Sequence, residues 1–190
     1  SGGVVGEELL ANDHVAMVAL TGSEEVGRRL MTASAQAKRI KPLSLELGGK
    51  SPNIVEPDCY MNGALNSVIL GFCMNQGEVC VSTSRLLLHD AIYDEFMEKL
   101  VKRVQTIRIG DCLDDQTQMG SLISREHRDT VHGFVERALA AGGKLACGGK
   151  MLTEPPYENG SYYPPTIIEQ VTPDMELFQE EVFGPVLAVT

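Results

Sequence analysis

The chain has 190 residues, 43% hydrophobic and 22% charged, with a formal net charge of −10. That length holds one fair-sized domain, or one domain with a piece of another, and the composition is that of a soluble globular protein rather than a disordered one. The acidic balance argues against a phosphate-backbone partner, which needs a basic surface, and no apolar run approaches the roughly 20 residues of a membrane helix, so neither nucleic acid nor a membrane is expected as a partner.

In chain order, the glycines at Gly2, Gly3 and Gly6 precede a short helix expected over Glu7 to Asn12. The uninterrupted apolar run Val15 to Leu20 predicts a buried strand, and Thr21-Gly22-Ser23 a turn opening a helix over Glu24 to Ala37. The free N–H groups at that helix start would suit a phosphate. Short strands follow at Leu43 to Leu47 and Asn53 to Val55. Leu65, Val68, Ile69 and Phe72 then recur at helical spacing and predict a buried helix over Met61 to Met74.

Leu86 to His89 reads as a strand and Ala91 to Ile107 as an amphipathic helix with Ile92, Phe96, Leu100, Val104 and Ile107 on one face. A further helix is expected over Arg125 to Ala141, with Val131, Phe134, Val135, Ala138 and Leu139 inward and Gly142-Gly143 as its stop. Strands are expected at Lys144 to Ala146, Tyr163 to Ile168 and Pro185 to Val189, with Met151 to Gly160 as a surface loop. This alternation predicts α/β layers.

The five cysteines, Cys59, Cys73, Cys80, Cys112 and Cys147, are odd in number and widely spaced, with no C-x-x-C pair and no matching histidine spacing. They read as reduced thiols in a cytoplasmic setting, and no metal site is expected. The chain begins at Ser1 without a methionine and stops at Thr190 inside an apolar run, which reads as a fragment.

Two short strings carry candidate chemistry. Cys80 lies in Asn75-Gln76-Gly77-Glu78-Val79-Cys80, and Glu46 in Leu45-Glu46-Leu47-Gly48-Gly49-Lys50. A thiol on a glycine-loosened turn and a carboxylate inside a second glycine-rich turn offer a nucleophile and a base that could share one cleft. Taken singly, a cysteine is more often a small buried hydrophobe and a glutamate a solvated surface charge.

Longer stretches decide between these readings. Leu45 to Val55 (LELGGKSPNIV) and Gly77 to Arg85 (GEVCVSTSR) resemble the catalytic glutamate and cysteine signatures of the aldehyde dehydrogenase superfamily. Thr21 to Gly27 (TGSEEVG) resembles that family's strand-to-helix turn beside the cofactor, and Glu180 to Pro185 (EEVFGP) its downstream cofactor motif. The four motifs stand in the family's order.

The resemblance implies an α/β fold, aldehyde dehydrogenase-like, with a three-layer α/β/α catalytic domain and a partial Rossmann-like cofactor-binding segment. Residues 1–48 would be the end of the NAD(P)-binding domain and residues 49–190 a catalytic domain truncated at its C-terminus. It implies oxidation of a small-molecule aldehyde to a carboxylic acid, with Cys80 forming a thiohemiacetal and then a thioester, and Glu46 as the base for the hydrolytic water.

NAD or NADP would be the cofactor. Gly22 and Ser23 would lie on its phosphate side, Leu47 and Gly48 would form a wall near nicotinamide, and Glu181 and Phe183 would clamp the ribose and contact nicotinamide. Gly2 and Gly6 fit the glycine spacing before the preceding helix, and His127 falls where relatives place a cofactor-contacting glutamine or histidine. The family further implies a homodimeric or homotetrameric parent, and an oxyanion-hole asparagine upstream of these residues, so the fragment alone is expected to be nearly inert.

Glu78 departs from the family's usual glutamine, and is expected to face away from the thiol because a like charge would oppose thiolate formation. Ser121 replaces a common proline. The alternatives are acyl transfer to coenzyme A or thiol esterase chemistry on the same fold, or a folded fragment without catalysis. Glu46 favours water as the acceptor.

Overall fold

The computed structural model describes residues 2–190 and divides into two compact units, one ending at Gly48 and the other running Gly49–Thr190.

The first unit contains α1 (Gly2–Ala11), β1 (Val18–Thr21), α2 (Glu24–Gln36) and β2 (Leu43–Glu46). β1 and β2 pair in parallel, with Thr21 opposite Glu46, so α2 is the crossover of a single β-α-β unit. Its core is small: Leu10, Val18 and Leu30 are buried, flanked by Val15, Leu20, Ala33, Leu43 and Leu45. Helix α1 begins at Gly2, so Gly2 and Gly6 are helical rather than forming a turn ahead of the helix. Gly6, in the helix interior, lowers helix stability by about 1 kcal/mol, less than the helix gains by packing Leu10 inward.

The second unit is built on a five-stranded sheet in the order β3-β4-β7-β6-β5, comprising β3 (Pro52–Val55), β4 (Arg85–Leu88), β5 (Lys144–Cys147), β6 (Thr166–Glu169) and β7 (Val186–Val189). All pairings are parallel except β5 with β6. Alternation along the strands sorts the core into two layers. Leu86, Leu88, Ile167, Leu187 and Val189 join one cluster with Leu65, Val68 and Phe72 of α3 (Met61–Cys73) and Phe96, Leu100 and Val104 of α4 (Tyr93–Val104). Ile168, Val186 and Ala188 join the other with Val131, Val135 and Ala138 of α5 (Arg125–Ala140) and Leu177 of α6 (Glu176–Gln179). This is the three-layer α/β/α arrangement: helices cover both faces, as a mostly parallel sheet demands.

Several boundaries differ from expectation for local reasons. The helix expected over Ala91 to Ile107 is a 3-10 turn at Asp90–Ile92 followed by α4, because Ile92 leaves helical geometry (φ −122°, ψ 4°) and the His89 ring accepts the Ala91 N–H. The strand expected from Tyr163 starts at Thr166, where pairing first becomes possible: Pro164 and Pro165 have no N–H, and the Thr166 N–H reaches the Pro185 carbonyl at 2.8 Å. Helix α6, only four residues long, is too short for a periodic signal.

Candidate active site

In the first unit, Ser23 caps α2 with extended backbone (φ −72°, ψ 155°), its hydroxyl accepting the Val26 N–H at 3.3 Å. Gly22 and Ser23 are exposed at this helix start, and the Gly22 N–H donates to the Glu46 carbonyl at 3.0 Å. The turn ahead of α2 is thereby tied to the end of β2, which presents the exposed Glu46. Gly27 lets the helix approach the chain just after β2: a Cβ there would lie 2.9 Å from a Leu47 methyl. Gly22, Ser23, Glu46, Leu47 and Gly48 therefore share one end of the β-α-β unit, while Gly2 and Gly6 lie on α1.

A phosphate-bearing cofactor fits this end by its donors. The Glu24 and Glu25 N–H groups at the start of α2 have no intrahelical acceptors, and of the two first-turn carboxylates, which would repel an anion, Glu24 is paired with Arg28 while Glu25 is exposed to solvent.

In the second unit, the approach to Cys80 is a run of left-handed backbone. Asn75 (φ 47°), Gln76 (φ 58°) and Gly77 (φ 75°) follow α3 after Met74, two of them without glycine's freedom. Such residues cost about 1–3 kcal/mol each and persist where surroundings over-determine them. The surroundings here are specific. The Asn75 side chain donates to the Glu78 carbonyl at 3.1 Å, and Gln76 accepts the Gly120 N–H at 3.3 Å. A Cβ on Gly77 would overlap the Gly184 carbonyl, so this loop is pressed against the Glu180–Pro185 segment.

Beyond the kink, Cys80 is half-buried at a turn. The chain after it is pinned to α3, where the Ser82 hydroxyl and the Thr83 N–H both donate to the Gly71 carbonyl, at 2.8 and 3.0 Å. Gly49 packs against the Cys80 carbonyl, and its own N–H donates to Glu181 Oε1 at 3.2 Å. The Glu181 carboxylate keeps acceptor capacity for further donors.

Glu78 is directed at the α5 entrance. Its Oε1 accepts the Ile123 N–H at 3.0 Å and lies 3.7 Å from His127 Nε2, with 10% of the side chain exposed. His127 in turn donates from Nε2 to the Phe183 carbonyl at 2.6 Å and meets the Phe183 ring edge-on at 6.1 Å. Phe183 is left-handed (φ 54°) and partly exposed.

Sequence reasoning missed one feature of this unit. Lys50 Nζ and Arg85 Nε are buried without hydrogen-bond partners, and burial, then the Arg85 charge, lowers the Lys50 ammonium to about 8 against the pull of Glu181 and Glu180. The available signal was the pair of cations beside the apolar strands β3 and β4. Among the described residues no group of three or more His, Cys, Asp or Glu could hold a metal ion, and no helix is long and apolar enough to cross a membrane.

Comparison with known proteins places these features in context. The aldehyde dehydrogenase family model matches residues 1–190. Betaine aldehyde dehydrogenase of Bacillus subtilis is 43% identical over 99% of this chain and 38% of its own length. Succinate-semialdehyde dehydrogenase [NADP(+)] 1 of Mycobacterium ulcerans is 41% identical over 96% of this chain and 39% of its own. Among solved structures, an NAD-dependent aldehyde dehydrogenase from Sinorhizobium meliloti superimposes with a TM-score of 0.94 at 39% identity, covering 100% of this chain and 37% of that one. The chain thus spans under two-fifths of the length of these relatives.

Proposed function

The chain belongs to the aldehyde dehydrogenase family, and from that premise we propose that the whole protein oxidises an aldehyde to a carboxylic acid with NAD+ or NADP+, using Cys80 as nucleophile and Glu46 as base. The observation that carries the reading is the support around Cys80: a half-buried thiol behind three left-handed residues, with Gly49 against its carbonyl and Ser82 and Thr83 pinned to α3. Strain held in place beside a nucleophile is what pre-organisation requires.

The Cys80 thiolate adds to the aldehyde carbon, giving a thiohemiacetal whose oxyanion can be met by the Cys80 backbone N–H. When bound, the nicotinamide would supply the hydride acceptor. A thioester then remains on Cys80, and Glu46 takes a proton from the water that cleaves it, releasing the acid and restoring the thiol. Gly22 and Ser23 would hold the phosphate side, Leu47 and Gly48 the nicotinamide wall, and Glu181 and Phe183 the ribose and nicotinamide contacts, with Gly2, Gly6 and His127 as further members of the set.

The relatives above are named for betaine aldehyde and for succinate semialdehyde, so what carries to this protein is the aldehyde group, with Val79 and Val81 beside the thiol giving an apolar approach. We place the protein in a reducing cytoplasm as a homodimer or homotetramer; the widely spaced, unpaired cysteines support the first.

The test is made on the whole protein. Cys80→Ala should abolish aldehyde-dependent formation of NADH, and Glu46→Gln should retain a first-turnover burst while steady-state hydrolysis slows. Full activity in Cys80→Ala would sink the mechanism, and an undiminished steady state in Glu46→Gln would remove Glu46 from the base role.

A further inference from the structure

The contacts around Phe183 assign a role to two residues at once. We propose that His127 is a positioning residue which fixes the backbone of Phe183 through its carbonyl, and that Glu78 anchors His127 and the Cys80 loop to the same helix entrance. The inference rests on the reading above, in which Phe183 and Cys80 face the reacting groups.

A peptide oxygen only accepts, so at 2.6 Å the His127 Nε2 must carry the hydrogen, whichever charge the ring has. That bond holds a residue whose φ of 54° a bulky side chain rarely adopts. The direction in which Phe183 presents its partly exposed ring follows from that backbone, and the His127 ring meets it edge-on.

Glu78 closes the arrangement. Its carboxylate takes the Ile123 N–H just ahead of α5 and stands 3.7 Å from His127 Nε2, on the side of the ring that carries the hydrogen. One acidic side chain, two residues before the nucleophile, therefore joins the Cys80 loop to the helix that holds Phe183. Packing repeats the same connection: Gly77 abuts the Gly184 carbonyl, and a Cβ on Gly184 would lie 2.6 Å from a Val131 methyl on α5.

The experiment has two arms. In this chain, long-range imidazole nitrogen–proton NMR should show His127 as the Nε2–H tautomer when neutral, with the Nε2 proton protected from exchange; an Nδ1–H tautomer, or an unprotected proton, would overturn the proposal. In the whole protein, His127→Ala should raise KM for NAD+ by about tenfold. His127→Gln, which keeps an N–H at similar reach, should restore KM to within about threefold.

A His127→Ala protein with unchanged KM, or a Gln variant no better than Ala, would refute the assignment, with thermal melts of both variants excluding misfolding. If the parent protein forms no NADH from any aldehyde, the proposed function fails, and the tautomer measurement still decides the role of His127.

Discussion

Gly49 and Cys80 are in backbone contact: a Cβ built on Gly49 would lie 2.6 Å from the Cys80 carbonyl oxygen. Gly49 is thereby part of the seat of the thiol, and its lack of a side chain is a positional requirement. Gly49→Ala should destabilise the chain by about 1–3 kcal/mol, the cost of overpacking against backbone that cannot step aside. It should also change the alkylation rate of Cys80 several-fold, read by urea unfolding and by iodoacetamide kinetics. An unchanged rate would mean that Cys80 does not depend on this contact.

Gly77→Ala should cost more, because position 77 combines a left-handed φ of 75° with a clash against the Gly184 carbonyl. A loss of roughly 2–4 kcal/mol is expected. Urea unfolding monitored by circular dichroism gives the number, and a loss below about 1 kcal/mol would show that the loop can relax away from its neighbour.

Lys50 gives a pH dependence of defined sign. Its ammonium is lowered from 10.5 to about 8 in the fold by burial and by Arg85. Between those values the unfolded chain binds a proton that the folded chain does not, so this group makes stability rise with pH through that window and leaves a constant penalty below about 8. Lys50→Met should therefore be more stable than the parent at neutral pH, by roughly 1–3 kcal/mol. The advantage should shrink as pH climbs toward 10.5. The buried Cys73 and Cys147 thiols, raised by desolvation, act oppositely above about 9, which is why the difference between parent and variant is the quantity to follow. A difference independent of pH would place the charged lysine in a better solvated setting.

The thiols should separate by environment. Burial pushes Cys73 far up, with Cys147 adding to it, and pushes Cys147 to about 11, so neither supplies thiolate at neutral pH. Peptide mapping after brief treatment with iodoacetamide should find label on the exposed Cys112 and on Cys80, and none on Cys73 or Cys147 until urea is added. Label on Cys147 in the native chain would contradict the packing of β5.

How legible the fold was depended on the range of the interactions involved. The helices α3 and α5 were readable because their apolar spacing repeats over three turns or more, and the inward positions Val131, Val135 and Ala138 are buried as that spacing predicts. The start of β6 was set by which backbone groups could pair across the sheet, and its preceding prolines gave a signal that the apolar pattern obscured. At the candidate site, the motifs singled out Cys80 and Glu181 but not what holds them. The Gly49 bond to Glu181 joins residues 132 positions apart, and the Glu78 contact with Ile123 spans 45. Periodicity carries no information over such separations. The left-handed Asn75 and Gln76 had no clear signal, since only Asn is modestly favoured there.

The two-stranded sheet of the first unit has a thermodynamic consequence. In this chain taken by itself, two short parallel strands over three buried apolar side chains make a cooperative unit of low free energy, whereas the five-stranded sheet has apolar layers on both faces. Amide hydrogens of Val18–Thr21 and Leu43–Glu46 should exchange with solvent through openings that leave the β6 and β7 amides protected. The strand that ends at Glu46 would then unfold and reform many times within one global lifetime of the sheet beside Cys80, so the carboxylate and the thiol belong to parts of the chain that lose their order at different denaturant concentrations.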